Sequence, residues 1–300
     1  MKLLRAATLT VSDPKASAER YQTWFDYEVV EEGVVDAALA ESWNRPGAQG
    51  RAFVTLRPAS GAEVFIRFVE GPVPADYRPL RTYGWTAIEI CVSDTWAVNT
   101  RLEASPFEII GPPKELEGLP TILPMQVRGP DQEIVFLTQI RDDPPEYDLP
   151  RAASLIDKLF ILVLACSDLA GSMRWFEEKM GLLGGRSLDL VYSVINQAFG
   201  FPSDRKHLLS TMTHERDMFL ELDQYPEETT IRPGAPGDLP PGIALVSFLH
   251  PDLAALPGPW LTPPAPRHGP IYGGRMAATM AAPDGTLVEI IQAEDAPSTD

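Results

Sequence analysis

Four histidines and two cysteines are few enough to weigh one by one. His207 stands at the start of the run KHLLSTMTH. It follows closely on Tyr192 and Asn196, which lie four apart in LVYSVINQAFG and therefore on one face of a short helix ended by Gly200. A histidine, a phenol and an amide so placed could move a proton or hold a polar group of a ligand. Equally, His207 could be a strand-edge residue facing solvent or the helix, and both readings stand at this point. His214 falls in the polar turn HERD, and His250 and His268 sit in proline-flanked loops. Cys91 and Cys166 lie inside apolar strand-like runs with no CxxC or Cys/His spacing, the pattern of buried thiols in a reducing compartment. The chain has no Walker loop, GxGxxG, HExxH or GxSxG, which removes the motif basis for nucleotide or classical hydrolase chemistry.

A formal net charge of −17 argues against nucleic acid or an anionic membrane as partner, because a phosphate-binding face needs clustered Lys and Arg. A small-molecule substrate remains, with a homodimer allowed for. The longest apolar run, Leu159 to Cys166, is too short for a membrane span, and the N-terminal MKLLRAATLTVSDP has no signal-peptide core, so a cytoplasmic protein is expected.

The elements that must position these residues come in repeats. GAEVFIRFVEGP and ERDMFLELDQYP end at Pro72 and Pro226, a shift of 226 − 72 = 154. At nearly the same shift SDPKAS matches SDLAGS, and PDQEIVF matches PDGTLVE. Each half opens with a β-branched, apolar strand, Ala6 to Val11 or Phe160 to Cys166. Asp13 and Asp168 then suit the N-caps of helices that carry aromatics at helical spacing. Three short strands follow, as in Leu208 to Thr213 and Met218 to Asp223 across the turn His214 to Asp217. Gly84 to Val92 and Gly242 to Leu249 restart the motif. The expected fold is α+β: four βαβββ modules paired into two tandem cupped-sheet domains, at 1–145 and 155–295.

Four such modules, the helix-opening Ser-Asp followed by an aromatic (Tyr21, Phe176) and the closing PDGTLVE hairpin resemble the vicinal oxygen chelate superfamily, which includes glyoxalase I, bleomycin resistance proteins and extradiol dioxygenases. The resemblance covers nearly the whole chain. It implies a cup whose inner face holds a divalent metal on each module's first and last strands. The first-strand positions it points to are Ala6, Ala87, Ile161 and Leu245, and the last-strand positions are Arg67, Phe136, Glu221 and Glu289. No histidine occupies a first strand, and the resemblance puts Met218 where the dioxygenases carry a catalytic histidine. With halves taken as cups, the N-terminal cup reads as degenerate and the C-terminal one as active.

Strand alternation then lays Ile161, Leu245 and Ser247 on one inner face with Glu289. A carboxylate on that greasy floor is desolvated, which poises it for proton transfer near neutral pH. Alternatively it is tied to a buried arginine, with Arg275 the nearest candidate in sequence. The reading with the widest support is a metal-independent lyase or isomerase acting on a small, largely apolar substrate, aromatic ones included. Glu289 would transfer the proton, with Glu221, His207 or Tyr192 as the second acid or base and Asn196, Arg275, Ser247, Ile161 and Leu245 around the substrate. No cofactor is expected. Two other readings stay open: a non-catalytic binder of hydrophobic small molecules, and a dioxygenase-like enzyme holding a divalent metal weakly through Glu221, Glu289 and a rearranged His207.

Overall fold

The structure, a computed structural model, describes residues 2–116, 120–142 and 144–294. The first module runs through β1 (Leu4–Val11), α1 (Pro14–Phe25), β2 (Tyr27–Val34), α2 (Ala37–Ser42), β3 (Ala52–Pro58) and β4 (Phe65–Glu70). The second holds β5 (Gly84–Val92), α3 (Thr95–Leu102), β6 (Glu108–Gly111), β7 (Ile122–Arg128) and β8 (Ile134–Ile140). The third comprises β9 (Ile156–Cys166), α4 (Leu169–Met180), β10 (Leu183–Val191), α5 (Ser193–Phe199), β11 (Lys206–His214) and β12 (Asp217–Gln224). The fourth has β13 (Gly242–His250), β14 (Ala265–Pro266), β15 (Met276–Ala281) and β16 (Leu287–Gln292). Where the other modules have a long helix it has only a 3₁₀ turn, Leu253–Ala255, because the prolines of LPGPWLTPPAP remove the donors a helix needs.

Helix starts follow the Ser-Asp signal. The Asp13 carboxylate accepts from the backbone N–H groups of Lys15 and Ala16, Asp94 from those of Trp96 and Ala97, and Asp168 from that of Gly171. Gly181 and Gly200 close α4 and α5 in the left-handed conformation, at φ 64° and 71°.

The four modules form two eight-stranded sheets. Their pairing differs from the expected division at 1–145 and 155–295. β1 pairs antiparallel with β13, so the first module shares a sheet with the fourth; β5 pairs antiparallel with β9, so the second shares a sheet with the third. Within each module the last strand lies parallel to the first. One continuous core joins the outer faces of both sheets through α1, α3 and α4, with Tyr21, Phe25, Val98, Leu102, Phe176 and Met180 packed between strand residues such as Leu9, Ile88, Leu220 and Ile290. The opposite face of each sheet is its cup. Both cysteines are buried and free, and no helix among the described residues is long and apolar enough to cross a membrane.

Candidate functional site

The cross-pairing separates the two carboxylates that the sequence places together. Glu289 belongs to the cup of modules one and four, and Glu221 to the cup of modules two and three. They share no site, so neither an acid/base pair nor a weak metal site can be built from both. His207 does not bring them together either.

The first of these cups is filled by its own side chains. Glu289 has no exposure and accepts from Trp43 Nε1 (3.0 Å), Ser247 Oγ (2.6 Å) and the Tyr272 hydroxyl (3.1 Å). Arg67, also buried, donates from Nη2 to the Tyr272 oxygen at 3.1 Å and to Thr8 Oγ1 at 3.0 Å, with its guanidinium 4.7 Å from the centre of the Trp43 ring. Trp43, at the end of α2, and Tyr272 occupy the space over the sheet. Leu245 packs with Trp43 in the same filling. A buried arginine does stand near Glu289, but it is Arg67, which reaches the carboxylate only through the Tyr272 hydroxyl; the expected Arg275 is not a partner, since its Nε and Nη2 donate to the backbone carbonyls of Tyr272 and Ile271. Glu289, Ser247, Leu245 and Arg275 belong to this filled cup, and none of them lines the open cavity of the other.

The second cup is open, with a cavity of about 570 Å³. Its walls are mostly apolar and include Ile110, Phe136, Phe160, Ile161, Leu188 and Met218, so Ile161 is placed as expected, although beside Glu221 instead of Glu289. The polar floor comes from three elements. Glu221 on β12 lies across from Thr211 on β11 and beside Val163 on β9. Glu89 on β5 lies between Phe136 and Ile161. Tyr192, at the entrance to α5, donates its hydroxyl proton to Glu221 Oε1 at 3.2 Å. Asp223 follows Glu221 by two positions on the same face of β12, fully buried, with neither carboxyl oxygen in a hydrogen bond of ordinary geometry.

Burial dominates the electrostatics of this floor. It pushes Glu89 up to about 8, with the nearby Glu221 charge adding to the rise and Thr138 offsetting it. It raises Glu221 as well, against the stabilising bond from Tyr192. Asp223 is raised well above the usual carboxyl value, by burial first and by repulsion from Glu221 second. Tyr192 is raised well above a free phenol, chiefly by burial, and stays a donor.

His207 and Asn196 meet each other rather than the cavity. His207 Nε2 lies 2.7 Å from Asn196 Oδ1, and Asn196 Nδ2 donates to the carbonyl of Arg205 at 2.9 Å, which pins the turn between α5 and β11. Burial, followed by the charge of Arg205, lowers the pKa of His207 and favours the neutral ring. Of the expected catalytic set, Glu221 and Tyr192 come together, and Glu289 and His207 stand apart. Glu89 and Asp223 are additions. Glu89 is the single charge in the strand GWTAIEICV, a signal present in the sequence, and Asp223 stands two residues from Glu221, the interval that puts strand residues on one face.

The chain matches no family model and no curated protein. Solved structures do match it over nearly its whole length. Glyoxalase I from Zea mays is 18% identical, with 97% of this chain and 92% of that one covered at a TM-score of 0.64. A proposed dioxygenase from Bacillus subtilis subsp. subtilis str. 168 is 14% identical, with 97% and 86% covered at a TM-score of 0.62. The chain has the vicinal oxygen chelate fold. The metal that this fold implies does not suit the residues here. In the open cup the four positions the fold points to hold Ala87, Phe136, Ile161 and Glu221, one donor in four, and among the described residues no three His, Cys, Asp or Glu side chains gather as a metal-holding group.

Proposed function

We propose that the open cup is an acid/base site for a small, largely apolar substrate, and that the chain is a lyase or isomerase whose chemistry is carried by carboxyl groups. One observation carries this reading: Glu89 and Glu221 both line the floor of the same apolar cavity, where burial raises both and Glu221 alone of the two accepts the Tyr192 hydroxyl. Glu221, stabilised as a carboxylate by the Tyr192 hydroxyl, is the base. It takes a proton from a carbon next to a carbonyl or similar electron sink, and the electron pair moves into that sink. Glu89, protonated at neutral pH, is the acid, returning a proton to a neighbouring carbon or to a leaving group. The hydroxyls of Thr138 and Thr211, both lining the cavity, are donors available to the developing negative charge. Wall residues hold the substrate and keep water out.

The test is solvent-deuterium exchange. Small aryl-alkyl carbonyl compounds are incubated with the protein in D₂O, and loss of the C–H signal is followed by NMR. Wild type should catalyse exchange for at least one member, Glu221→Gln should slow it by about 100-fold or more, and Glu289→Gln should leave it intact. Exchange unaffected by Glu221→Gln would defeat the proposal. Saturable binding with no exchange by any compound would favour a binding protein instead.

A further inference from the structure

The two cups balance their buried acids differently. In the filled cup, Tyr272 links Glu289 to the guanidinium of Arg67, so the protein supplies its own cation. In the open cup, Glu89 and Glu221 line one floor, with Asp223 buried two residues along β12 from Glu221, and the ion pairs among the described residues leave all three out. The groups that face them from the surrounding elements are Tyr192 before α5, Tyr225 after β12, and, on the walls, Arg186 of β10 and Lys114 of the loop before β7; Glu146 lines the cavity from the linker. Neither Arg186 nor Lys114 forms an ion pair with the three carboxyls. A second observation points into the same space: the Thr211 hydroxyl, 7% exposed and cavity-lining, has no hydrogen-bond partner in the protein.

A buried carboxyl group without a cation, as Glu89 is, stays protonated, and a ligand that brings a cation removes the reason for it. The walls also suit such a ligand. A cavity of about 570 Å³ accepts a ring and a short chain. Phe136, the strand neighbour of Glu89, and Tyr192, bonded to Glu221, hold their rings 6.2 Å apart, so aromatic faces flank the acids. We infer that the cavity takes a lipophilic amine, its ammonium group set against Glu89 and Glu221 and its hydrocarbon body laid along the apolar wall. Binding then expels a proton from the floor to solvent. This deepens the acid/base reading by naming the substrate class: with the amine bound Glu89 is ionised, and Glu221, protonated by the abstraction, returns the proton itself; it rests on the same cavity being the functional site.

The test is calorimetric binding to the intact protein of three matched probes: 4-phenylbutylamine, 4-phenylbutan-1-ol and 4-phenylbutyrate. The amine should bind at least about tenfold more tightly than the alcohol at pH 8, one charge-assisted contact being enough for that ratio, and the carboxylate should bind least. Buffers of different ionisation enthalpy should reveal release of about one proton at pH 7. Amine affinity should strengthen by up to about tenfold per pH unit below the Glu89 value of about 8 and level above it. The double variant Glu89→Gln/Glu221→Gln should lose the amine preference while keeping alcohol affinity, which shows that it is folded. Alcohol or carboxylate binding as tightly as the amine, or no probe binding at millimolar concentration, overturns the inference. The deuterium-exchange result is independent of all of these: exchange lost in Glu221→Gln with no amine preference would leave the acid/base reading standing and remove only the substrate class.

Discussion

Two tyrosines do opposite work on two glutamates. Tyr272 donates to Glu289 inside a filled cup and accepts from Arg67, so its hydroxyl is the hinge between a buried anion and a buried cation. Tyr192 donates to Glu221 beside an open cavity, where the carboxylate has other neighbours. Tyr272→Phe should therefore cost about 1.5–3 kcal/mol of stability, the range for hydrogen bonds to charged groups, read from urea unfolding. Tyr192→Phe should cost less, and its effect should appear in titration: because the Tyr192 bond lowers the pKa of Glu221, its loss moves the acidic limb of any Glu221-dependent rate to higher pH. Equal stability losses with no shift of the limb would mean that both tyrosines are structural. Much of this scale was legible. The strand alternation set Glu289, Ser247 and Leu245 on one face, as found, and the family resemblance gave Glu221 its inward place, while Ile161, set beside Glu289, lies instead beside Glu221. The plug was not legible, because Trp43 reaches Glu289 across 246 positions of chain and no local pattern announces such a contact.

At the scale of elements, a short turn does what helices do elsewhere. The turn between β7 and β8 places Asp131 against α1, where it accepts from Ser17 Oγ at 2.6 Å and pairs with Arg20. Beneath it Glu133 accepts from the Asp131 backbone N–H and is pushed up to about 8 by burial first and by the Asp131 charge second. The folded value lies above the usual 4.5, so between those two pH values the native state holds a proton that the unfolded chain has released. Stability from this group is complete below about 4.5 and is lost as pH rises towards 8, at a slope on the order of 1 kcal/mol per pH unit. Glu89 adds a loss of the same sign. Chemical unfolding at half-unit steps should show stability declining over this window, and Glu133→Gln should remove its share and be more stable than wild type at pH 8. A variant with the wild-type slope would show that Glu133 is ionised in the fold. The helices themselves were readable from Asp13, Asp94 and Asp168. The fourth module kept the strand and the aspartate but not the helix, since its prolines outweigh the capping signal.

For the whole molecule the decisive fact is which modules share a sheet, and here local pattern is silent for a physical reason. β1 is buried along its entire length, as are β5 and nearly all of β9, so alternation along each strand says which residues are inward without saying which strand lies beside it. Any first strand could complement any other. What the chain does instead is join the second module to the third and close the first on the fourth, so both central antiparallel pairs, β1 with β13 and β5 with β9, cross the midpoint of the sequence. Cutting the chain at its middle therefore severs no domain boundary. A protease site introduced beside the exposed Glu146, in the linker between the second and third modules, should give two fragments that elute together at the full-length position in gel filtration. They should separate only in denaturant, because each fragment holds half of both sheets and half of the core between them. Fragments that part on dilution in native buffer, each keeping strand signal in circular dichroism, would show that the halves fold as independent cups and would overturn the cross-pairing. The same cut tests the open cavity, whose floor takes Glu89 from one fragment and Glu221 from the other: amine binding should survive nicking and vanish when the fragments are assayed apart.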